Sequence, residues 1–171
     1  MNNEEKNTFV KRQIVQATLE LLRKRSIDDI SISEITNAAN VGRVSFYRNY
    51  ASKLDILQKE SDRLINEWGT LFADLPSSEY NVFFLSIFDF FKEHEAFYTI
   101  LRRAGLSDII MDTIVGMADT SNCRTNLDAY LRSFWAYGVY GWLVEWIDRG
   151  MQETSEDLVK LFEAAQTKQK H

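Results

Sequence analysis

The sequence predicts an all-α protein, and three observations carry that expectation. Apolar residues recur at the 3.6-residue helical period, from Val10, Ile14, Ala17 and Leu21 near the start to Leu158, Leu161, Phe162 and Ala165 near the end. Regular alternation of apolar and polar residues, the mark of a half-buried strand, is not evident. One proline and seven glycines leave little of the turn chemistry that a many-stranded sheet needs. The expected architecture is an N-terminal three-helix helix-turn-helix unit over residues 1–52, a long linking helix over 53–75, and a C-terminal helical bundle over 76–171.

Residues 1–7 are polar and read as a frayed tail. From residue 8 to 24 the periodic apolar positions, flanked by Thr18 and Leu22, define a first helix with Arg12, Gln16, Glu20 and Arg23 on its far side. Ser31-Ile32-Ser33-Glu34 has the form of a capping box, in which Ser and Glu satisfy two orphan amides, so a second helix starts there and runs to about residue 39. Ile35, Ala38 and Ala39 mark its buried side. Asn40-Val41-Gly42 forms the turn, because asparagine tolerates left-handed backbone and Val41 can plug the angle between two helices. A third short helix follows to about residue 49, with Phe46 and Tyr50, four apart, turned inward. Two short helices joined by a tight turn make a helix-turn-helix.

Ser52 is a new N-cap, and Leu54, Leu57, Leu64, Ile65, Trp68, Leu71 and Phe72 make one long helix to about residue 75. Pro76-Ser77-Ser78 is the clearest linker. Residues 81–92 are apolar on nearly every side, which places that helix in the centre of the body. Shorter helices are expected over 96–104, closed by Gly105, and over 107–118. Residues 124–149 form a second long helix whose apolar surface is wider than one stripe and so needs two partners. Its Gly138 and Gly141 each cost about 1 kcal/mol relative to alanine, which is easier to understand where another helix comes close. Gly150 ends it, and Thr154 or Ser155 caps a last helix.

The net charge of −5 hides an asymmetry: residues 6–53 hold nine basic and four acidic side chains, a net +5, so the remainder carries −10. A basic reading end on an acidic body is the electrostatic footprint of a DNA-binding protein. Enzymatic function is not expected, since there is no glycine-rich phosphate loop and no Ser-His-Asp or Cys-His set with a matching local motif. Neither a cofactor nor a metal site is expected: Cys123 is the only cysteine, and His94 has no second histidine in ligand spacing. The lone cysteine fits a reducing compartment, and the longest apolar run, residues 134–147, is broken by Glu145 and is too short for a membrane span. A cytoplasmic location without membrane contact follows as the expectation.

In a helix-turn-helix the N-terminal part of the second helix meets base edges, so Arg43, Val44 and Ser45 are the candidates for direct readout. Arg43 can pair bidentately with guanine, and Val44 offers a methyl-bearing contact for thymine. Ser33, Thr36 and Arg48 are further phosphate candidates. In the body, Trp68, Phe72, Phe88, Phe91, Phe97 and Trp135 could line a cavity for a small apolar or aromatic effector. Aromatics at helical spacing equally build an ordinary core.

The residues from 14 to 57 resemble the TetR family of bacterial transcriptional regulators. The likeness lies in the first-helix pattern, Ser31-Ile32-Ser33-Glu34-Ile35, the Ala39-Asn40-Val41 turn, Ser45-Phe46-Tyr47-Arg48-Asn49-Tyr50, and Ser52-Lys53 opening the fourth helix. The short acidic body is more distantly similar to the abbreviated C-terminal domain of the branch that includes the dihydroxyacetone-kinase regulators. The resemblance implies that Tyr47 and Lys53 bind phosphate, Tyr47 through its hydroxyl and Lys53 through its charge. It implies a homodimer on double-stranded DNA at a near-palindromic operator, a repressor by default, with a transcriptional activator or a helical interaction module working through a partner protein as the alternative. The last two helices, with Trp142, Trp146, Leu158, Leu161 and Phe162, are then the expected dimer face. Two departures stand out: Asn40-Val41-Gly42 replaces the family's common Gly-Val-Ser, which removes a hydroxyl cap, and Val44 stands where many relatives have a small residue.

Overall fold

A computed structural model describes residues 2–73, 80–118 and 120–168, and among these the regular elements are all helical. The head comprises α1 (Asn3–Leu22), α2 (Ile32–Ala38) and α3 (Arg43–Asn49), followed by the long α4 (Lys53–Ala73). The body holds α5 (Tyr80–Glu93), α6 (Glu95–Arg103), α7 (Ser107–Met117), a 3-10 turn at Thr120–Asn122, α8 (Asn126–Asp148) and α9 (Ser155–Lys168). The expected boundaries at residues 75 and 76, the Pro76-Ser77-Ser78 linker and the last three residues lie outside the described residues.

The helix starts follow their caps. Ser31 accepts from the Glu34 amide at 3.2 Å while Glu34 accepts from the Ser31 amide at 2.8 Å, the reciprocal pair that its sequence promised. Thr125 accepts from the Asp128 amide and Thr154 from the Asp157 amide, opening α8 and α9. Gly105 and Gly150 take positive φ, 74° and 84°, and stop the helices before them where a side chain would be strained. The N-terminus corrects one expectation. Instead of a frayed tail, α1 begins at Asn3, because Asn2 and Glu5 make a capping box with bonds of 2.9 and 2.8 Å.

α4 is the spine. It packs on α1 in the head and on α5 and α7 in the body, so its inward residues Ile56, Leu57, Leu64, Ile65 and Trp68 belong to one buried cluster that runs from Ile14 to Val159. Leu54 and Leu71 instead face outward, and Ala38 on α2 is exposed beside the buried Ile35 and Ala39. α5 is central as its composition demanded: Phe84, Ile87, Phe88, Phe90 and Phe91 are buried between α4, α6 and α9. A polar seam crosses this core where Ser61 of α4 meets Thr113 of α7 at 2.8 Å. Thr113 directs its hydroxyl hydrogen to the Ile109 carbonyl, so Ser61 is the donor between them.

Candidate nucleic-acid interface and the surfaces behind it

Phe46 and Tyr50 anchor α3 from beneath. Both are buried, their rings 5.9 Å apart, and burial pushes the Tyr50 phenol up to about 12. Asn40 takes φ 53°, the left-handed backbone that the turn requires, and the Val41 amide donates to the Thr36 carbonyl at 2.9 Å. Gly42 caps α3 with backbone alone, as the missing hydroxyl foretold. With the inner face occupied, the opposite face of α3 points away from the protein. Arg43, Val44, Tyr47 and Arg48 are exposed there, Val44 to 75% and Tyr47 to 60%, in two i,i+4 pairs that form one continuous surface. Ser45 lies at its edge, half-buried. A 75% exposed valine has no packing role, which is why its outward position suits a base contact.

The remaining head residues fall differently. Ser33, half-buried on α2, accepts a hydrogen bond from the Arg43 guanidinium, tying the two helices across the turn. Thr36 does not offer its side chain to a phosphate: it is 2% exposed, and its hydroxyl donates to the Ser33 carbonyl at 3.1 Å. The Lys53 ammonium donates to the carbonyls of Ile27 and Ile30, both at 2.6 Å, and more weakly to that of Asp28 at 3.4 Å. Lys59, not singled out by the sequence, bonds the Asn49 carbonyl at 2.9 Å, pairs with Asp55, and lies 5.7 Å from the Tyr50 ring centre. It closes the corner between α3 and α4. Its signal was the Asp55-to-Lys59 spacing of four on a helix. Glu34, which accepts from the Ser31 backbone and hydroxyl and from Arg25 at 2.8 Å, is held down to about 2 by those bonds, the backbone one foremost.

In the body, a cleft of about 480 Å³ opens between α4, α5, α7 and α8. Trp68 and Phe72, stacked at 5.1 Å, line it from α4, with Phe83 edge-on to both and Trp135 from α8. Phe88, Phe91 and Phe97 do not reach it; all three are buried in the body core, where Phe88 meets Trp146 and Phe91 meets Tyr98. Gly69 also lines the cleft, and a Cβ there would meet nothing within 4 Å. A glycine in mid-helix was the available signal for it.

The α8–α9 surface divides too. Trp146, 3% exposed, and Leu158 are buried in the chain's own core, while Trp142 and Phe162 are half-buried against each other at 5.7 Å. Leu161 faces outward. Beside it, α8 exposes a stripe outside the residues expected for the dimer face: Leu127, Tyr130, Leu131, Phe134 and Tyr137, with Phe134 at 70%. Gly138 and Gly141 continue the stripe, and nothing lies within 4 Å of a Cβ built on either. So no helix among the described residues makes the close approach expected at those glycines.

Comparison with known proteins agrees with this arrangement. Residues 14–59 match the family described as bacterial regulatory proteins, tetR family, and residues 79–168 match a transcriptional regulator C-terminal region. No curated protein matches the sequence. Among solved structures, Lin0861 from Listeria innocua superposes with a TM-score of 0.80 at 14% identity, covering 98% of this chain and 94% of that one. The dihydroxyacetone kinase operon activator DhaS gives 0.57 at 18% identity, covering 94% and 95%. A tetR-family transcriptional regulator from Streptomyces coelicolor gives 0.55 at 20% identity, covering 93% and 77%. With both halves matched and the helix-turn-helix in place, this chain belongs to the TetR family of DNA-binding transcriptional regulators and is not an enzyme.

Proposed function

We propose that the protein is a cytoplasmic homodimeric repressor that reads a near-palindromic operator and is released by a small apolar or aromatic effector. The outward face of α3 carries this reading. Arg43, Val44 and Ser45 stand at its N-terminal end, where a recognition helix meets base edges, while Tyr47 and Arg48 flank them as phosphate contacts. Ser33 supports Arg43 from α2. A single head of this size makes too few base contacts for useful specificity, and two-fold pairing doubles them.

The α8 stripe supports the dimer. Five large apolar side chains exposed on one helix face exceed what a monomer ordinarily leaves wet, and the two open glycines would let a symmetry-related helix approach closely. On this reading the dimer face is centred on Phe134, with Leu161, Trp142 and Phe162 at its margin. Trp146 and Leu158 act behind it as support. For the effector, the cleft lined by Trp68, Phe72 and Trp135 is of ligand size and largely apolar. α4 runs from that cleft to the corner beside α3, so a ligand that shifts α4 changes the separation of the two recognition helices from the ~34 to 36 Å that successive major grooves demand.

Selection from random duplex DNA tests the reading. An inverted repeat is the expected product, bound by a dimer in light scattering, with reporter expression falling when the protein is present. A single unrepeated half-site bound by a monomer sinks the two-fold reading. A rise in reporter expression makes the protein an activator.

A further inference from the structure

We propose that the cleft between α4, α5, α7 and α8 takes a flat aromatic acid, its rings joining Trp68, Phe72 and Phe83 and its carboxylate meeting Arg132. This rests on the reading of the cleft as the effector site and names the chemistry that the site selects. Trp68 and Phe72 stack with their planes 17° apart, and Phe83 stands edge-on to both, at 80° and 87°. A ring added to this cluster finds the offset-stacked and edge-to-face partners that aromatics prefer, whereas an alkyl chain gains buried area alone. Gly69, three residues before Phe72 on the same helix, leaves room for it: a Cβ there would meet nothing within 4 Å.

The polar groups of the lining decide the other end. An indole has one donor, and Trp68 directs it to the Ser86 hydroxyl at 2.7 Å, so it offers a ligand ring surface only. Among the described lining residues Arg132 is the only charged one, and none is acidic. Arg132 stands exposed at the rim, one helical turn before Trp135 and Ala136 on the cleft side of α8. Its Nη1 donates to the Ala118 carbonyl at 3.3 Å, which orients the guanidinium beside the end of α7 where Met117 and Ala118 line the same cleft. A guanidinium recognises a carboxylate through charge-assisted, often paired hydrogen bonds. To a neutral amide it gives a weaker bond, and it repels a cation. The acid thereby bridges α8 and α4, the helix that runs to the head.

Calorimetry on the full chain tests this with β-naphthoate, its neutral isostere β-naphthamide, and octanoate. The naphthoate should bind about 10-fold tighter than the amide and at least about 3-fold tighter than octanoate. Arg132→Met keeps a stem without the charge and should bring acid and amide within about 2-fold of each other. Gly69→Leu fills the cleft from α4 and should abolish binding of both. An amide that binds wild type as tightly as the acid, or octanoate as tightly as naphthoate, overturns the inference and leaves the cleft as an effector site. An acid preference that survives Arg132→Met overturns it as well. If no probe binds, or binding survives Gly69→Leu, the reading of the cleft falls and the inference falls with it. The comparison of probes on wild type needs no variant to fold.

Discussion

The recognition helix and the first helix of the α8–α9 surface both carry an outward face, and the two faces have opposite chemistry. α3 directs Arg43, Val44, Tyr47 and Arg48 outward over a buried Phe46. α8 directs Leu127, Tyr130, Leu131, Phe134 and Tyr137 outward over buried Ala136, Val139, Leu143 and Trp146. A face for a polyanion can remain charged and hydrated until DNA arrives. A face for a second copy is apolar and unfavourable to leave in water, so it should be covered at ordinary protein concentration. The comparison is therefore breakable: inward changes should unfold, outward changes should uncouple one partner and leave the fold alone.

The largest effects lie inward. Phe46→Ala removes a fully buried ring and should lower the head's stability by about 3 to 5 kcal/mol, read by denaturant unfolding. A loss below about 1 kcal/mol would mean that α3 is not anchored as described. Next comes the outward face of α8. In the proposed dimer, Phe134→Glu should raise the dissociation constant by at least ~100-fold, because it replaces an exposed aromatic anchor with a carboxylate from each copy on the proposed face. Sedimentation at micromolar concentration reads it, with helix content unchanged, and an undisturbed dimer would move the interface elsewhere. On the outward face of α3, Tyr47→Phe should cost operator affinity roughly 5- to 10-fold, the worth of about one hydrogen bond, without lowering the melting temperature. Full affinity in that variant removes Tyr47 from the phosphate contacts.

The same contrast explains what could be read from the sequence. The head was legible because its signals are local: Ser31 with Glu34, Asn40 in the turn, and Phe46 with Tyr50 are complete within a few residues. What it did not reveal is of long range. Lys53 meets carbonyls 23 to 26 positions away, and Thr36, polar by type, is closed off by the packing of neighbouring helices. In the body the order of helices was clear, but not which aromatic faced which neighbour. Phe88, Phe91 and Phe97 carry the same period as Phe72 and Trp68, and only tertiary packing separates core from cleft lining. The width of the α8 apolar surface foretold an apolar face beyond the chain's own core. Its register did not follow, since Trp146 and Phe134 are both large aromatics on one helix and only one of them turns inward.

The smallest expected effect belongs to the head's cap and has a defined pH signature. Glu34 is held down to about 2 from its ordinary value of 4.5, chiefly by the Ser31 backbone and hydroxyl and by Arg25. A carboxylate whose folded value is depressed contributes stability that is fully present above 4.5 and is lost as pH falls from there through about 2. Glu34→Gln can retain a capping amide but not the charge. The difference in melting temperature between wild type and Glu34→Gln should therefore be constant at neutral pH and close as the solution is acidified through that window. Because the group is exposed, high salt should shrink the difference as well. A difference that persists to pH ~2, below both protonation ranges, would mean that shape rather than charge makes Glu34 useful. The loop that Lys53 holds from one side would then owe nothing electrostatic to the ion pair on the other.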